Sequence, residues 1–352
     1  MATLTETAYY ARRIIKFGGI GLVVFIIGRF FFFMAVDYWR LLHPPPPPPP
    51  TVAFGRLPQL VFPEKTRAVE SFLLETVSGG VAEISDRATI FFMPVRQANL
   101  LALERMSDQA AKLGFTNEPE QVSSREYRWR RDSPLPATLT ADIVSASFTL
   151  EVEWQLDPTI LDSGTLPNSD AAVQEARRFL DNAGLLPSDL AAGETKVSFL
   201  RADIANLVSA VSLSEADFVR VDFFRTPVEE WVVYPSNPQR GVVAMIFSGN
   251  PVSGKRIIDI KYNYFPVDYE QSATYPLKTA QVAWQELQAG QGYIANVDSG
   301  VTRATVRRVA LGYYDSAIPQ NYLQPIYVFE GDNNFVAYVP AIPTQWVDVA
   351  QE

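Results

Sequence analysis

The sequence predicts an α+β protein with an N-terminal transmembrane helix followed by tandem extracytoplasmic modules of antiparallel sheet with packed helices. Three observations support this fold class. A continuous apolar segment lies near the N-terminus, short stretches of alternating hydrophobicity recur along the rest of the chain, and a few segments show helical spacing of apolar residues. Of the 352 residues, 47% are hydrophobic, which is enough apolar material for a sizeable core.

The composition argues against several kinds of chemistry. Cysteine is absent, so the chain has no disulfide, no thiolate nucleophile and no iron–sulfur ligand. The only histidine, His43, lies beside a run of prolines, which argues against a histidine-based triad and favours a solvated residue near the lipid headgroups. The net charge is -9, with the acidic excess after residue 50. Nucleic acid is therefore not an expected partner, since binding it requires clustered Lys and Arg.

Residues 17–36 form the predicted transmembrane helix. About 20 apolar residues with a rise of 1.5 Å each cross a hydrocarbon core of about 30 Å. Three basic residues precede the segment: Arg12, Arg13 and Lys16. By the positive-inside rule, residues 1–16 form a cytoplasmic tail and the ectodomain lies outside. A cleaved signal peptide is disfavoured, because Phe30–Phe33 leave no small-x-small cleavage site.

Arg29 is a charge inside this apolar segment. At a helix centre an arginine costs about 2.5–3.5 kcal/mol on insertion scales, and less where its side chain reaches the interface. The alternative interpretation is that Arg29 pairs with an acidic group on a partner helix, with glycines allowing close helix contact. Arg29 is therefore a candidate partner contact.

Residues 37–50 form the predicted polyproline linker. Seven consecutive prolines, Pro44–Pro50, favour a stiff polyproline II rod of ~22 Å that holds the ectodomain away from the bilayer. A docking site for a proline-binding module is the weaker interpretation, because such modules are mostly cytoplasmic and this run is expected outside.

The ectodomain is predicted to consist of three modules, at residues 51–165, 166–270 and 271–352. In the first two, stretches such as REYRWRR, SFTLEVEW, TKVSFLRAD and ADFVRVDFF alternate between apolar and polar residues, which is typical of strands with one solvated face.

One helix is predicted in each of these two modules, at residues 98–113 and 170–183. Both end at a glycine, Gly114 or Gly184, that precedes an apolar residue and then a proline. The shared phrase predicts a repeated unit of a helix followed by strands, and the two glycines are interpreted as plain C-caps rather than ligand contacts.

The turn GNPVSGK between two predicted strands nearly matches a phosphate-binding P-loop. It has Gly249, Gly254 and Lys255, but Arg256 replaces the Ser or Thr that ligates magnesium. A P-loop must also open a helix, whereas the next residues, RIIDIKYNYF, read as a strand. We therefore interpret the segment as a hairpin turn.

The C-terminal module is predicted to contain a helix at 277–290, followed by three strands at 304–316, 323–331 and 334–342. The order is a helix and then a three-stranded meander. Within the strands the following residues form a recognisable phrase: Gly312, Tyr313, Tyr314, Leu323, Gln324, Pro325, Tyr327 and Phe329.

This phrase resembles the C-terminal region of YycI-type regulatory proteins and, more loosely, PepSY-like domains, in which a helix packs on an antiparallel sheet. A single uncleaved span with an α/β ectodomain is also similar to YycI and its partner YycH. The resemblance implies a non-enzymatic regulator of an envelope-sensing histidine kinase. The phrases FLLETVSGG and ATIFFMP also resemble those of single-span membrane proteins from candidate-phylum bacteria.

No catalytic residue, metal ligand or cofactor-binding residue is predicted. Adjacent carboxylates such as Glu229 with Glu230, or Glu118 with Glu120, seldom face each other at the separation that glycosidases use, so they are expected to be solvated. The candidate contacts with a partner or ligand are aromatic and amide side chains of the C-terminal module, besides Arg29: Tyr313, Tyr314, Tyr322, Gln324 and Tyr327. The alternative is that these tyrosines pack on the helix that carries Trp284.

The preferred hypothesis is a non-catalytic, membrane-anchored extracytoplasmic protein that regulates or scaffolds a membrane or envelope protein through protein–protein contacts. The alternative is a module that binds a cell-wall glycan or peptide through its tyrosine-rich C-terminal region. A carboxylate-based hydrolase comes third. A single-pass location in the cell membrane, with the N-terminus cytoplasmic, is common to all three hypotheses.

Overall fold

The computed structural model describes most of the chain in two compact units, Met1–Pro49 and Pro50–Glu352, which are treated separately below. The residues that it describes are 4–43, 48–64, 69–77, 79–81, 84–96, 99, 101–162, 164–204 and 206–348.

The first unit is one long helix, α1 (Leu4–Leu42). Its stretch Arg12–Leu42 is long and apolar enough to cross a membrane, which confirms a candidate spanning helix around the predicted residues 17–36. The helix is longer than predicted, because it also takes in most of the expected tail and the first part of the expected linker. Of the predicted proline rod, Pro44–Pro47 lie outside the described residues.

The second unit is mixed α+β, as predicted. Its helices are α2 (Ala102–Lys112), α3 (Thr159–Asp162), α4 (Ser169–Asn182), α5 (Ser188–Ala191) and α6 (Ala280–Gln288). Its strands are β1 (Leu57–Pro58), β2 (Ser71–Leu74), β3 (Arg87–Phe92), β4 (Glu120–Gln121), β5 (Glu126–Arg131), β6 (Ala137–Asp142), β7 (Phe148–Val152), β8 (Thr195–Asp203), β9 (Asn206–Ser209), β10 (Phe218–Phe223), β11 (Val232–Pro235), β12 (Val243–Ser248), β13 (Ile257–Tyr262), β14 (Asp268–Pro276), β15 (Tyr293–Asn296), β16 (Arg303–Asp315), β17 (Tyr322–Gly331), β18 (Val336–Pro340) and β19 (Val347–Asp348).

The larger sheet has nine strands in the order β4-β5-β6-β7-β13-β12-β10-β8-β9, and every neighbouring pair is antiparallel. The chain builds it in two halves. After α2 the strands run from one edge to the centre at β7, and after α4 they run from the other edge to the centre at β13. This order agrees with the repeated unit of a helix followed by strands that the sequence predicts.

Helices α2 and α4 share one core with this sheet. Their buried positions follow helical spacing, with Met106 and Ala110 on α2 and Ala176 and Leu180 on α4. Both helices end before a glycine of positive φ, +88° at Gly114 and +70° at Gly184, as the sequence predicts for C-caps.

The smaller sheet has eight strands. Its main path is β11-β16-β17-β18-β15, with β2 beside β16 and β3 between β14 and β17. Antiparallel pairing of β16 with β17 and of β17 with β18 confirms the predicted meander. Helix α6 packs on one face, where the Trp284 and Phe329 ring centroids are 5.8 Å apart. The other face is covered partly by Leu60 and Phe62.

The sheets do not follow the predicted module boundaries. Residues on both sides of the 165/166 boundary enter the nine-stranded sheet, and the 270/271 boundary falls inside β14. In addition, β11 lies between β10 and β12 in sequence yet joins the eight-stranded sheet beside β16. The chain therefore leaves the larger sheet and returns to it, which ties both sheets into one compact unit.

The turn that resembles a P-loop joins β12 to β13, which pair as an antiparallel hairpin. The residues after Lys255 continue as strand β13, so the segment opens no helix. This confirms the hairpin interpretation.

Candidate functional site

Most of the predicted contact residues in the C-terminal module are buried, and their polar groups form hydrogen bonds inside the protein. Tyr313 donates its hydroxyl hydrogen to the Thr89 carbonyl at 2.8 Å, and Tyr327 donates to the Lys278 carbonyl at 2.6 Å. Both belong to the core that contains Trp284, as the packing alternative expected.

Gln324 and Tyr314 are also buried, on the face of the same sheet that lies opposite the core with Trp284. The Gln324 amide donates to the Pro58 carbonyl at 2.9 Å, and the Tyr314 hydroxyl lies 2.8 Å from Ser236 Oγ. Neither side chain is open to a ligand in this structure. The reason is that the chain segment before β2 covers this face, which strand patterns alone do not reveal.

Tyr322 is the predicted tyrosine that does line an open surface. It borders a groove of about 920 Å³, which we name the aromatic groove, together with Phe62 and Tyr293. The Phe62 and Tyr293 rings are stacked, with centroids 5.1 Å apart and an interplanar angle of 11°. The groove is also lined by three amide side chains, Gln59, Gln291 and Asn321, and by charged side chains that include Arg56, Glu64 and Asp348.

Arg29 is exposed on helix α1. Its guanidinium carbon lies 4.8 Å from the centroid of the Phe33 ring, one helical turn further along. Such a cation–π contact within one helix places the charge along the side of the helix. This contact is compatible with both interpretations of Arg29, which are pairing with an acidic group on a partner helix and a position at the membrane interface.

A second cavity, of about 410 Å³, lies between α2 and the turn that joins α4 to α5. We name it the arginine cleft. Its lining includes Arg96, Arg105, Gln109, Asp181, Tyr262 and Tyr264.

The helix pattern of α2 positions one wall of the arginine cleft. Because Ala102, Met106 and Ala110 face the core, the neighbouring positions Arg105 and Gln109 lie together beside it. Gln109 donates its amide hydrogen to the Ala183 carbonyl at 3.1 Å, which links α2 to the end of α4.

The charges that line the cleft are mainly positive. Arg96 and Arg105 face a single acidic residue, Asp181, and neither arginine forms an ion pair within the described part of the chain. Arg105 donates instead to Asn99 Oδ1 at 3.0 Å. Burial raises the pKa of Tyr262 to about 12, so its hydroxyl stays neutral and available as a donor. These groups suit a carboxylate or another oxyanion.

One wall of the arginine cleft continues into a buried ionic cluster, which consists of Arg225, Asp189 and Asp315. The Arg225 side chain is fully buried; Nη1 donates to Asp189 Oδ2 at 2.6 Å and Nε donates to Asp315 Oδ2 at 2.5 Å. Its Nη2 donates to the Phe265 carbonyl. The cleft residue Tyr264 donates to Asp189 Oδ1 at 3.0 Å and lies under the guanidinium, 4.2 Å from centroid to Cζ.

The ionic cluster joins the two sheets. Arg225 follows β10 of the nine-stranded sheet, whereas Asp315 ends β16 of the eight-stranded sheet. Two carboxylates face one guanidinium, and Asp315 Oδ1 is buried without a hydrogen-bond partner. Burial is the main reason that the pKa of Asp315 is raised, and the Arg225 charge offsets it only in part.

The sequence did not single out the residues of the cleft or the cluster. Arg225 lies 36 positions from Asp189 and 90 from Asp315, so no local motif joins them. The one available signal was an arginine between two strands, which occurs too often to point to a site. The predicted carboxylate pairs, Glu229 with Glu230 and Glu118 with Glu120, are exposed, as expected.

The chain matches no protein-family model, and no curated protein is similar to it in sequence. The resemblance to YycI-type proteins and PepSY-like domains therefore stays a prediction. Among the described residues, no three His, Cys, Asp or Glu side chains are grouped so that they could hold a metal ion.

Proposed function

We propose that this protein is a single-pass membrane protein whose second unit works outside the cytoplasm as a non-catalytic regulator or scaffold. In this proposal the arginine cleft receives a carboxylate of a polypeptide partner in the cell envelope. The basic residues before the apolar segment of α1 support the orientation, since such residues favour the cytoplasmic side.

The observation that carries the proposal is the position of Tyr264. Its side chain lines the cleft and also contacts both Asp189 and Arg225 of the ionic cluster. A ligand that moves Tyr264 would therefore act on the ionic cluster. Within the described residues, this is the one buried cluster of charges that we find between the two sheets. Regulation requires such a link between a binding site and a second structural element.

The charge of the cleft indicates the chemistry of the partner. Guanidinium groups bind carboxylates through paired hydrogen bonds, and two arginines without ion pairs are free to do so. The whole chain carries a net charge of -9, so a local basic site stands out from an acidic surface. An acidic peptide would be steered to the cleft and repelled elsewhere.

A photo-crosslinking amino acid at position 186, on the lining of the cleft, tests the proposal in cells that produce the full-length protein. We expect a crosslink to a specific envelope protein that falls at least tenfold in the Arg96→Gln/Arg105→Gln double variant. The matched control is Arg178→Gln/Arg201→Gln, two exposed arginines outside the cleft. Equal crosslinking in both double variants would overturn the role of the cleft.

The aromatic groove supports a second candidate function, which is binding of a cell-wall glycan. The aromatic side chains of Phe62, Tyr293 and Tyr322 line the groove, and three amide side chains offer hydrogen bonds to hydroxyl groups. The test is binding of purified glycan strands to the full-length protein and to Tyr322→Ala, with Tyr127→Ala on β5 as the control. This candidate requires that only the first variant weakens binding.

A further inference from the structure

The two edges of the nine-stranded sheet differ in how they are protected. At one edge, β4 is two residues long, follows Pro119 and carries Glu120, whose carboxylate pairs with Arg130 at 3.4 Å. Short edge strands, charges and prolines are the usual features that keep the sheets of different molecules from pairing. At the other edge, β9 has the sequence NLVS, which contains neither a charge nor a proline. The β9 edge therefore lacks this protection.

The pairing of β9 with β8 shows which backbone groups of β9 are free. Ala210 donates its amide hydrogen to the Phe199 carbonyl at 2.9 Å, so Ala210 and, by alternation, Val208 form the hydrogen bonds to β8. Leu207 and Ser209 lie at the alternate positions, where the amide and carbonyl groups point away from β8. Among the described residues, nothing forms a hydrogen bond with these groups. Two residues of β9 therefore offer unpaired donors and acceptors at the free edge.

Exposed apolar side chains flank β9 at both ends. Ile204, before the strand, is 96% exposed, and Val211, after it, is 92% exposed. Ile204 also has a φ of +56°, a backbone conformation that is unfavourable for a β-branched residue. A tight turn between two strands favours asparagine, aspartate or glycine at such a position. Turn geometry therefore does not explain this isoleucine, whose side chain is available for an intermolecular contact.

We propose that β9 pairs with β9 of a second copy of this chain, in antiparallel orientation about a two-fold axis at Val208. In this register Leu207 of each copy lies opposite Ser209 of the other, and their unpaired backbone groups form four hydrogen bonds across the axis. Ile204 of each copy also comes beside Val211 of the other, so one pairing covers the exposed side chains at both ends. This self-complementarity is what a two-fold interface requires, and it favours a second copy over an unrelated strand.

Charge and interface size set the conditions under which two copies pair. The chain carries a net charge of -9, so two copies repel each other on average, but β9 itself carries no charge that opposes the contact. The paired segment, residues 206–210, is much shorter than the roughly 20–30 residues a side of a stable interface. The dimer is therefore weak in solution. Anchoring two copies in one membrane through α1 raises their effective concentration for each other and favours it. This contact does not depend on the proposed role of the arginine cleft.

Disulfide crosslinking of the full-length protein in isolated membranes tests the pairing. The chain has no cysteine, so an introduced thiol is the only one that can react. Val208→Cys places two thiols directly opposite each other at a non-hydrogen-bonded pair, where the Cα atoms are about 4.5 Å apart and a disulfide can form. We expect a linked dimer after addition of copper phenanthroline. Two co-produced copies with different tags identify the linked molecule as a second copy of this chain.

Asn206→Cys is the matched control, because it lies on the same strand and the same face. In the proposed register its two Cα atoms are offset by four positions, about 13 Å along the strand, which is beyond the roughly 7 Å that a disulfide can bridge. We expect at least tenfold less linked dimer than with Val208→Cys. Equal crosslinking of the two variants, or linkage of Val208→Cys only to a different protein, would overturn the proposal.

A second pair of variants tests the backbone hydrogen bonds. In the Val208→Cys background, Ser209→Pro removes the amide hydrogen that points to the second copy, and proline is tolerated in an edge strand where this hydrogen faces solvent. Ser209→Ala keeps the amide hydrogen. We expect at least a tenfold loss of linked dimer with Ser209→Pro and no loss with Ser209→Ala. Unfolding curves of the purified variants show whether each is folded, and a folded Ser209→Pro variant that still forms the linked dimer contradicts the proposed pairing.

Discussion

The two sheets of the second unit have similar strands but differ in how their two faces are covered. The eight-stranded sheet is covered by α6 on one face and partly by Leu60 and Phe62 on the other, and Tyr313 and Tyr327 direct their hydroxyls to internal acceptors. The nine-stranded sheet packs helices on one face and carries charged residues on the other. The comparison teaches that the tyrosines of a strand can belong mainly to the core, whereas charged side chains collect on the sheet that has one open face.

The ionic cluster between the sheets gives the largest predicted effect. Replacing Arg225 with Met leaves Asp189 and Asp315 buried without their shared partner, and breaking a buried ion pair in this way costs about 3–5 kcal/mol. We expect the unfolding midpoint in denaturant to fall sharply, measured by tryptophan fluorescence of the full-length protein in detergent. Arg201→Met on β8, an exposed arginine, should change stability by at most about 0.5 kcal/mol. If the two variants unfold alike, the cluster does not join the sheets energetically.

The tyrosines of the eight-stranded sheet give the next effect. Tyr327→Phe removes the donor to the Lys278 carbonyl in a buried place, and a buried group left unsatisfied costs about 1–3 kcal/mol. Tyr322→Phe, at the edge of the aromatic groove, should cost much less because this hydroxyl is near solvent. Equilibrium unfolding of both variants checks the difference. A larger loss in Tyr322→Phe would contradict the assignment of Tyr327 to the core.

Asp315 makes the connection between the sheets sensitive to pH. Its pKa is raised in the folded protein, mainly by burial, so the folded state holds a proton that the unfolded state has released. The stabilisation that results is fully present below the pKa of Asp315 in the unfolded state, about 3.8. It is lost as the pH rises through the pKa of Asp315 in the folded state. Asp315→Asn removes this titration while it leaves the Asp189 contact of Arg225 in place.

Unfolding midpoints at pH 4 and pH 7 check this expectation. Other carboxyl groups titrate in the same range, so the informative quantity is the difference between the original protein and the variant. We expect the original protein to lose more stability than Asp315→Asn as the pH rises. Parallel pH profiles would show that Asp315 titrates normally.

The sequence predicted the elements whose pattern is local. Helices α2, α4 and α6 appeared through apolar spacing and glycine C-caps, and β5 and β7 appeared through alternation. β14 was missed because its residues DYEQSATYP are mostly polar and exposed at one end, although it pairs with β3. The crossing of β11 to the other sheet was also missed, because pairing over long sequence distances leaves no local signal.

The candidate site could be predicted far less well than the fold. The tyrosines of β16 and β17 were plausible ligand contacts because a strand pattern does not say what covers each face. The chain segment that contains Leu60 supplies part of that cover, and it lies more than 200 positions earlier. Conversely, Arg225 becomes informative only when the fold places it beside the carboxylates of Asp189 and Asp315.

The smallest predicted effect on stability concerns the helix caps, which allow a direct comparison of the two sheets. Asn168 begins α4 and accepts a hydrogen bond of 2.9 Å from the Ala171 amide, so Asn168→Ala should cost about 1 kcal/mol. Thr279 caps α6 on the other sheet with a longer bond of 3.3 Å from the Val282 amide, and Thr279→Ala should cost less. Unfolding midpoints of the two variants and of Asn168→Asp, which keeps a capping oxygen, measure the difference. Helix α4 shares the core of the nine-stranded sheet and starts one of its two halves. If Asn168→Ala lowers the stability no more than Thr279→Ala does, packing rather than the cap fixes the start of α4.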